Sequence, residues 1–275
     1  MLYLVGTPIG NMGDISPRAV EVLSSADVIL CEDTRVTGLL LSNLGISGKK
    51  LISYHEHNKA SRADMALDLL GQDINVVQVS DAGMPVISDP GEDLVRIAAD
   101  AGFEVTCIPG PTAAMTAAAL SGIDARYIHF EGFLPSTGAA RKDRIDKLCG
   151  IEDTIVLYEA PHRIQKLCEE LCDAGLGGRK AAFCRELTKK FEEVVRATVA
   201  EVKDHFDQKP PKGEFVVVIE GASGDRSDGT VMDLGKEEEL KDFLLSQDLP
   251  VKSVAKALSI VTGRSKNDIY KDLIQ

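Results

Sequence analysis

Short apolar runs and amphipathic stretches alternate along the first 110 or so residues of this chain, and that alternation restricts the available folds more than any other property. The runs at 3–5, 28–31, 51–53, 76–79 and 105–108 read as buried strands. Between them, 17–24, 34–43, 62–70 and 92–101 carry helical apolar spacing. Such alternation predicts βαβ units and a parallel sheet. Pro109-Gly110-Pro111 breaks the pattern, and the Ala-rich 112–120 reads as a helix capped by Thr112.

A second α/β unit is expected beyond that break. Its strands fall at 127–131, 154–158, 181–184, 193–198 and 215–219, its helices at 142–148 and 163–174. Two neighbouring strands near its end imply a mixed sheet. The Gly-, Ser- and Asp-rich stretch 221–229 reads as a linker, and 237–246, 251–262 and 266–274 as three short helices. Their outline is that of a helix-turn-helix, and equally of any small helical hairpin. The expected class is α/β, with an N-terminal domain over 1–111, a second over 112–221 and a small helical domain over 230–275.

Composition narrows the function. The chain has 275 residues, 44% hydrophobic, enough for two ordinary α/β cores. Aromatics make up only 5% and Trp is absent, so stacking platforms for single strands are not evident. The net charge of −12 argues against an undirected polyanion binder. The charge is uneven, however. The first 125 residues hold 7 Lys and Arg against 16 Asp and Glu, whereas 126–200 hold 13 against 12. Any nucleic acid should therefore meet the second half; the plainer reading is solvated helix faces. No apolar run approaches the ~20 residues of a membrane span, and the apolar start is too short for a secretory h-region. Cys31, Cys107, Cys149, Cys168, Cys172 and Cys184 form no C-x-x-C pair and read as reduced core thiols of a cytoplasmic protein, in preference to disulfides or metal ligands.

Five loops fall at predicted strand ends, where open α/β sheets bind ligands. Gly6-Thr7-Pro8-Ile9-Gly10-Asn11 has the glycines for close backbone approach, and suits a structural turn as well. The stretch 80–91, SDAGMPVISDPG, lacks both a Walker lysine and a full G-x-G-x-x-G. It suits hydroxyls, amides or positive charge better than polyphosphate. Pro109-Gly110-Pro111-Thr112-Ala113 fixes its backbone and presents a hydroxyl. The last two loops, 158–163 (YEAPHR) and 184–190 (CRELTKK), place charge directly after apolar strands. Glu159, His162, Arg163, Arg185, Glu186 and Lys189 are thus candidates for acid/base or substrate-positioning work. The structural alternatives are a surface ion pair for Arg185 and Glu186 and a helix cap for His162. A further cluster, Tyr54-His55-Glu56-His57-Asn58, would set two His on one strand face; a polar loop lining the cleft is favoured over a metal site, and no metal is expected.

The ordered set VGTPIGN, YHEHN, SDAGMPVISDPG, PGPTAAMTAAALSG, FEGFLP (with Glu131), YEAPHR, CRELTKKFEE and GEFVVVIEG covers nearly the whole chain. It resembles the bacterial small-subunit ribosomal RNA 2'-O-ribose (cytidine) methyltransferases, a branch of the tetrapyrrole (corrin/porphyrin) methylase superfamily. GTPIG is shared across the superfamily, whereas SDAGMPVISDPG with YEAPHR and CRELTK is specific to this branch. Met84 and Ala160 stand where many relatives carry Thr and Ser.

The resemblance implies two α/β domains with a deep cleft, a homodimer, and S-adenosylmethionine held largely by backbone. By motif position, Pro8, Ile9, Asp81, Gly83, Met84, Thr112, Ala113, Tyr158, Glu159 and Leu187 would line the cofactor site. The substrate would be a cytidine ribose in the decoding region of the small ribosomal subunit. A base near the ribose hydroxyl would add ~10²–10⁴-fold to the rate; the candidates are Glu159, His162 and Glu186. Arg163, Arg185 and Lys189 would steady phosphate or oxyanion. The RNA-facing set would be Arg141, Lys142, Arg144, Lys166, Lys189 and Lys190, with Lys252, Lys256, Arg264 and Lys266 from the tail. Two other readings stand beside this one: a corrinoid or porphyrin-precursor methyltransferase, and a non-catalytic RNA-binding protein.

Overall fold

Five short strands whose side chains are largely buried form the first sheet, as their Val/Ile/Leu content requires. The computed structural model of the protein describes residues 1–55, 58–89, 91–208, 212–222, 234–247, 249–262 and 266–274, without the side chains of 59–61, 207–208, 234–239, 260–262 and 266–268. The first elements are β1 (Leu2–Val5), α1 (Pro17–Ser25), β2 (Val28–Cys31), α2 (Thr34–Asn43), β3 (Lys50–Ser53), α3 (Lys59–Leu70), β4 (Val76–Gln78), α4 (Glu92–Asp100) and β5 (Val105–Ile108). The sheet order is β3-β2-β4-β1-β5, and every pairing is parallel. Helices cover both faces. Leu70, Leu94 and Ala98 pack on one with Leu2, Leu30 and Val76, and Ala19, Leu23 and Leu41 on the other with Val5, Ile29 and Val77.

The order places β1 and β4 side by side while their chains leave in opposite directions, toward β2 and toward β5. That is the topological switch at which open α/β sheets bind ligands. The two following loops are clipped together. Thr7 and Gly83 exchange backbone hydrogen bonds (Thr7 N to Gly83 O 2.8 Å, Gly83 N to Thr7 O 3.1 Å). The buried Thr7 hydroxyl donates to the Ser80 carbonyl at 3.3 Å.

The next helix, α5 (Ala113–Ser121), begins at Thr112, whose hydroxyl accepts the Met115 N–H at 3.2 Å. Its alanines Ala114, Ala117 and Ala118 pack on Val156, Ala182 and Val216 of the second sheet. Then come β6 (Ile128–Phe133), α6 (Gly138–Leu148), β7 (Thr154–Glu159), α7 (Ile164–Asp173), β8 (Lys180–Arg185), β9 (Glu193–Thr198), α8 (Val199–Gln208) and β10 (Phe215–Ile219). The sheet order is β6-β7-β10-β8-β9; β6 and β7 are parallel and the other pairings antiparallel. The sheet is therefore mixed, as the two neighbouring late strands implied. Helix α8 lies between β9 and β10 in the chain and has no counterpart in the sequence reading, although Val199, Val202 and Phe206 bury one helical face. β6 carries a bulge between Phe130 and Gly132, with Gly132 at φ 68°.

Residues 1–222 form one compact unit and 223–275 another. The second contains α9 (Leu234–Ser246), α10 (Val251–Thr262) and α11 (Lys266–Leu273). Its small core is Val254, Ala255, Leu258 and Ile269, flanked by Leu240, Leu244, Tyr270 and Leu273. No helix among the described residues is long and apolar enough to cross a membrane.

Candidate active site

Loops from the carboxyl ends of both sheets converge on one cavity of about 670 Å³. That volume lies within the ~300–1,000 Å³ usual for small-molecule and cofactor sites. The loops meet because glycines let backbone touch backbone. A Cβ on Gly6 would lie 2.7 Å from the Gly110 Cα, so the loops after β1 and β5 pack without side chains between them. The Met84 Sδ accepts the Gly110 N–H at 3.2 Å and ties the loop after β4 to the same knot. The loops are also wound tightly. Val86 (φ 77°) and Ser88 (φ 65°) on one side, and Glu186 (φ 50°) and Thr188 (φ 64°) on the other, sit in the left-handed region that non-glycine residues avoid.

The wall is chemically divided. Ile9, Met84, Ile87, Met115 and Leu187 give it an apolar surface, and an aromatic group forms another part. The Tyr158 ring lies between Phe130 and Phe133, with centroids 5.3 and 5.2 Å away. Burial raises the Tyr158 phenol, and its hydrogen bond to the Ala114 backbone works the other way. A third part is acidic, made by Glu32, Asp81 and Asp89. Burial comes first in raising Glu32, with the Asp81 charge adding to it. Asp81 is raised chiefly by burial, although its carboxylate accepts the Asp33 N–H at 3.2 Å. Asp89 is pushed up to about 6, by burial first and the Glu32 charge second.

Nine of the ten residues placed at the cofactor site by sequence reading face this cavity: Ile9, Asp81, Gly83, Met84, Thr112, Ala113, Tyr158, Glu159 and Leu187. Pro8 does not belong to its wall. Of the acid/base and positioning candidates, only Glu159 and Lys189 reach it. His162 and Arg163 lie in the 3-10 turn Pro161–Arg163, where His162 is exposed to solvent. Arg185 pairs with Glu193 at 2.5 Å. Glu186 accepts from Lys189 at 3.2 Å and from the Glu214 N–H at 3.1 Å. Arg185 and Glu186 thus each pair with a different residue, half-buried, in place of the surface pair with one another that the sequence offered as the structural alternative.

Glu159 requires a correction. Its carboxylate has no solvent exposure and is held by Arg141 Nη2 at 3.0 Å, Arg163 Nε at 2.5 Å and the Ala160 N–H at 2.8 Å. Both of its oxygens are committed to buried ion pairs, which gives the carboxylate a structural part in joining β7 to α6 and to the turn after β7. Arg141 is corrected with it. It is 1% exposed, also binds Glu170 at 2.7 Å and the Pro135 carbonyl at 3.0 Å, and so cannot face RNA phosphates.

The other RNA candidates are on the surface. Lys142 pairs with Asp146 at 2.6 Å, and Arg144, 42% exposed, clamps Glu131. Lys166 lies 3.7 Å from Glu170, and Lys190 sits over the Phe191 ring. Lys252 and Lys256 share an exposed face of α10. Arg264, Glu56, His57 and the side chain of Lys266 lie outside the described residues. Sequence reading passed over Glu32, Asp89, Phe130 and Phe133. Glu32 directly follows a strand, the same signal that brought out the later loops, and Asp89 belonged to a loop already singled out.

Acidic, apolar and aromatic walls in one cavity of this size fit a ligand that combines a cation, hydroxyls and a flat ring, as S-adenosylmethionine does. The chain belongs to the tetrapyrrole (corrin/porphyrin) methylase family, whose sequence model matches residues 1–203. Within that family its curated relatives carry a more particular name. A protein of Xylella fastidiosa named "Ribosomal RNA small subunit methyltransferase I" is 40% identical over 98% of this chain and 97% of that one. Its Vibrio cholerae namesake is 39% identical over 98% and 93%. Among solved structures, a cobalt-precorrin-4 methyltransferase aligns with a TM-score of 0.60 at 19% identity, covering 80% of this chain and 94% of that one. A uroporphyrin-III C-methyltransferase from Thermus thermophilus, complexed with S-adenosyl homocysteine, aligns at 0.56 and 19%, covering 79% and 96%. The likeness to these two shows the shared fold.

Proposed function

We propose that this chain transfers a methyl group from S-adenosylmethionine to the 2'-hydroxyl of a cytidine ribose in the decoding region of small-subunit ribosomal RNA. The observation that carries the reading is the divided cavity at the meeting of the two sheets. Full-length relatives named as small-subunit rRNA methyltransferases support the choice of RNA over a tetrapyrrole. Ile9, Gly83, Met84, Thr112, Ala113 and Leu187 would hold the cofactor through backbone and apolar contact. Of the acidic wall, Glu32 and Asp81 would favour its sulfonium, which supplies the methyl group. Positioning the ribose oxygen in line with that carbon supplies much of the rate. Lys189 reaches the cavity and would meet an RNA phosphate there. Lys142, Arg144, Lys252 and Lys256 would supply outer phosphate contacts, Lys142 and Arg144 after leaving their present partners. The active species is proposed to be a homodimer of the cytoplasm.

The test is transfer of tritiated methyl to small ribosomal subunits, followed by mapping of the modified nucleotide. Label on a cytidine ribose is the expected result. Label on a base, or on uroporphyrinogen or a corrinoid and not on RNA, overturns the reading. Asp81→Ala should weaken S-adenosylmethionine binding in calorimetry far more than it weakens RNA binding.

A further inference from the structure

Six titratable side chains other than Tyr158 line the cavity: Glu32, Asp81, Asp89, Glu159, Lys189 and Glu214. Four have defined partners. Glu159 is sealed between two guanidinium groups, Lys189 and Glu214 pair at 2.7 Å, and Asp81 accepts the Asp33 amide. Asp89 differs. It descends from the loop after β4, hydrogen-bonds the Ser80 side chain, and also backs onto a small inner hollow with Cys31, Tyr54 and Gln78. Among the described residues no guanidinium or ammonium group acts on its charge; the causes are burial, Glu32, Ser80 and Asp81. Tyr158 feels its charge from the end of β7.

We propose that the Asp89 carboxylate is the proton acceptor for the attacking hydroxyl, a role that rests on the ribose-methylation reading. In the step, the ribose O–H proton passes to an Asp89 oxygen. The oxygen lone pair forms the new bond to the methyl carbon, and the carbon–sulfur pair stays on sulfur. Neutral S-adenosylhomocysteine leaves, and the protonated Asp89 later returns its proton to water. Charge balances, since the sulfonium and the carboxylate are neutralised together.

The surroundings tune the group for this work. Burial and the facing Glu32 and Asp81 carboxylates bring it to about 6, close to a working pH, which is where a general base is most effective. Glu32 is in turn eased by His55 and raised by Asp33, and Asp81 is eased by Arg35. Below about 6 Asp89 holds a proton and cannot accept another, so activity should rise with pH through that region.

The decisive measurement is the pH profile of kcat/KM for methyl transfer to small subunits, with S-adenosylmethionine affinity measured alongside by calorimetry. Wild-type protein should show an acid limb near 6. Asp89→Asn should lose ~10²–10⁴-fold in kcat and the limb with it, while the cofactor Kd moves by no more than about threefold. Glu32→Gln removes a like charge and should move the limb to lower pH. Independently of turnover, 13C carboxyl NMR of the unliganded wild type should show one Asp titrating near 6 that is missing from Asp89→Asn. A wild-type rate in Asp89→Asn, or no Asp titrating in that range, overturns the assignment while leaving ribose methylation intact. Loss of cofactor binding in both Asp89→Asn and Asp89→Glu overturns it in favour of a binding role. Wild-type protein that puts no methyl on a ribose overturns the function and the assignment together.

Discussion

Arg141 shows how one charged residue can serve the interior instead of the surface. Its guanidinium joins Glu159 at the end of β7 to Glu170 on α7, and is itself 1% exposed. Removing it would leave the buried Glu159 with Arg163 as its one cation among the described residues, beside the Ala160 N–H. Breaking such a pair costs about 3–5 kcal/mol, so Arg141→Ala should lose stability on that scale in urea unfolding. Arg141→Lys should recover only part, because an ammonium cannot reproduce the fork that binds two carboxylates and a carbonyl. A loss under about 1 kcal/mol would mean that the cluster contributes little. Gly110→Ala tests the loop knot in the same way. Its Cβ would lie 2.8 Å from the Gly6 Cα, backbone against backbone, and overpacking of this kind costs about 1–3 kcal/mol. Unfolding midpoint and cofactor affinity should fall together. Neither environment is legible in a sequence. An Arg in RKDRIDK looks like a solvated helix charge, and nothing local says that a carboxylate 18 positions on will bury it.

At the scale of elements, α5 joins the two halves of the site. It starts beside the cavity, where Thr112 is both wall and cap, and it packs its alanines on the second sheet. Losing a Thr cap costs about 1 kcal/mol. Thr112→Ala should therefore lower stability by that much and weaken S-adenosylmethionine binding as the first turn frays. Thr112→Ser should restore both. Unchanged stability in Thr112→Ala would show that the cap bond is idle. Most elements were legible because burial enforces period: β2 is all apolar and fully buried, and its predicted limits match. Helix α8 escaped because its three apolar residues sit among seven polar or small ones, so that only packing against Phe183 and Phe215 reveals the face. The cavity-facing loops were legible for a different reason. Gly and Pro directly after an apolar strand have few structural uses, whereas charge there also serves local pairs, as at Arg163, Arg185 and Glu186. Phe130 and Phe133 stayed hidden because a bulge turns their strand, and alternation alone cannot predict a bulge.

For the whole molecule the question is how a chain of net charge −12 engages a polyanion at all. Long-range repulsion opposes undirected binding, so affinity must come from a few cations at fixed places. The described residues of the cavity wall fall within 1–222, whereas Lys252 and Lys256 belong to the helical unit. Cofactor binding and RNA binding should therefore separate by mutation. The pair Lys252→Glu with Lys256→Glu should leave the S-adenosylmethionine Kd unchanged in calorimetry, since neither side chain lines the cavity. Binding to small-subunit RNA should weaken, and the slope of log K against log salt should flatten by about 0.7–0.9 for each phosphate no longer neutralised. A slope that does not change would place the phosphate-binding cations elsewhere, at Lys142, Arg144 and Lys189. If salt has no effect on the wild type either, phosphate neutralisation does not drive recognition, and base or shape readout must carry it.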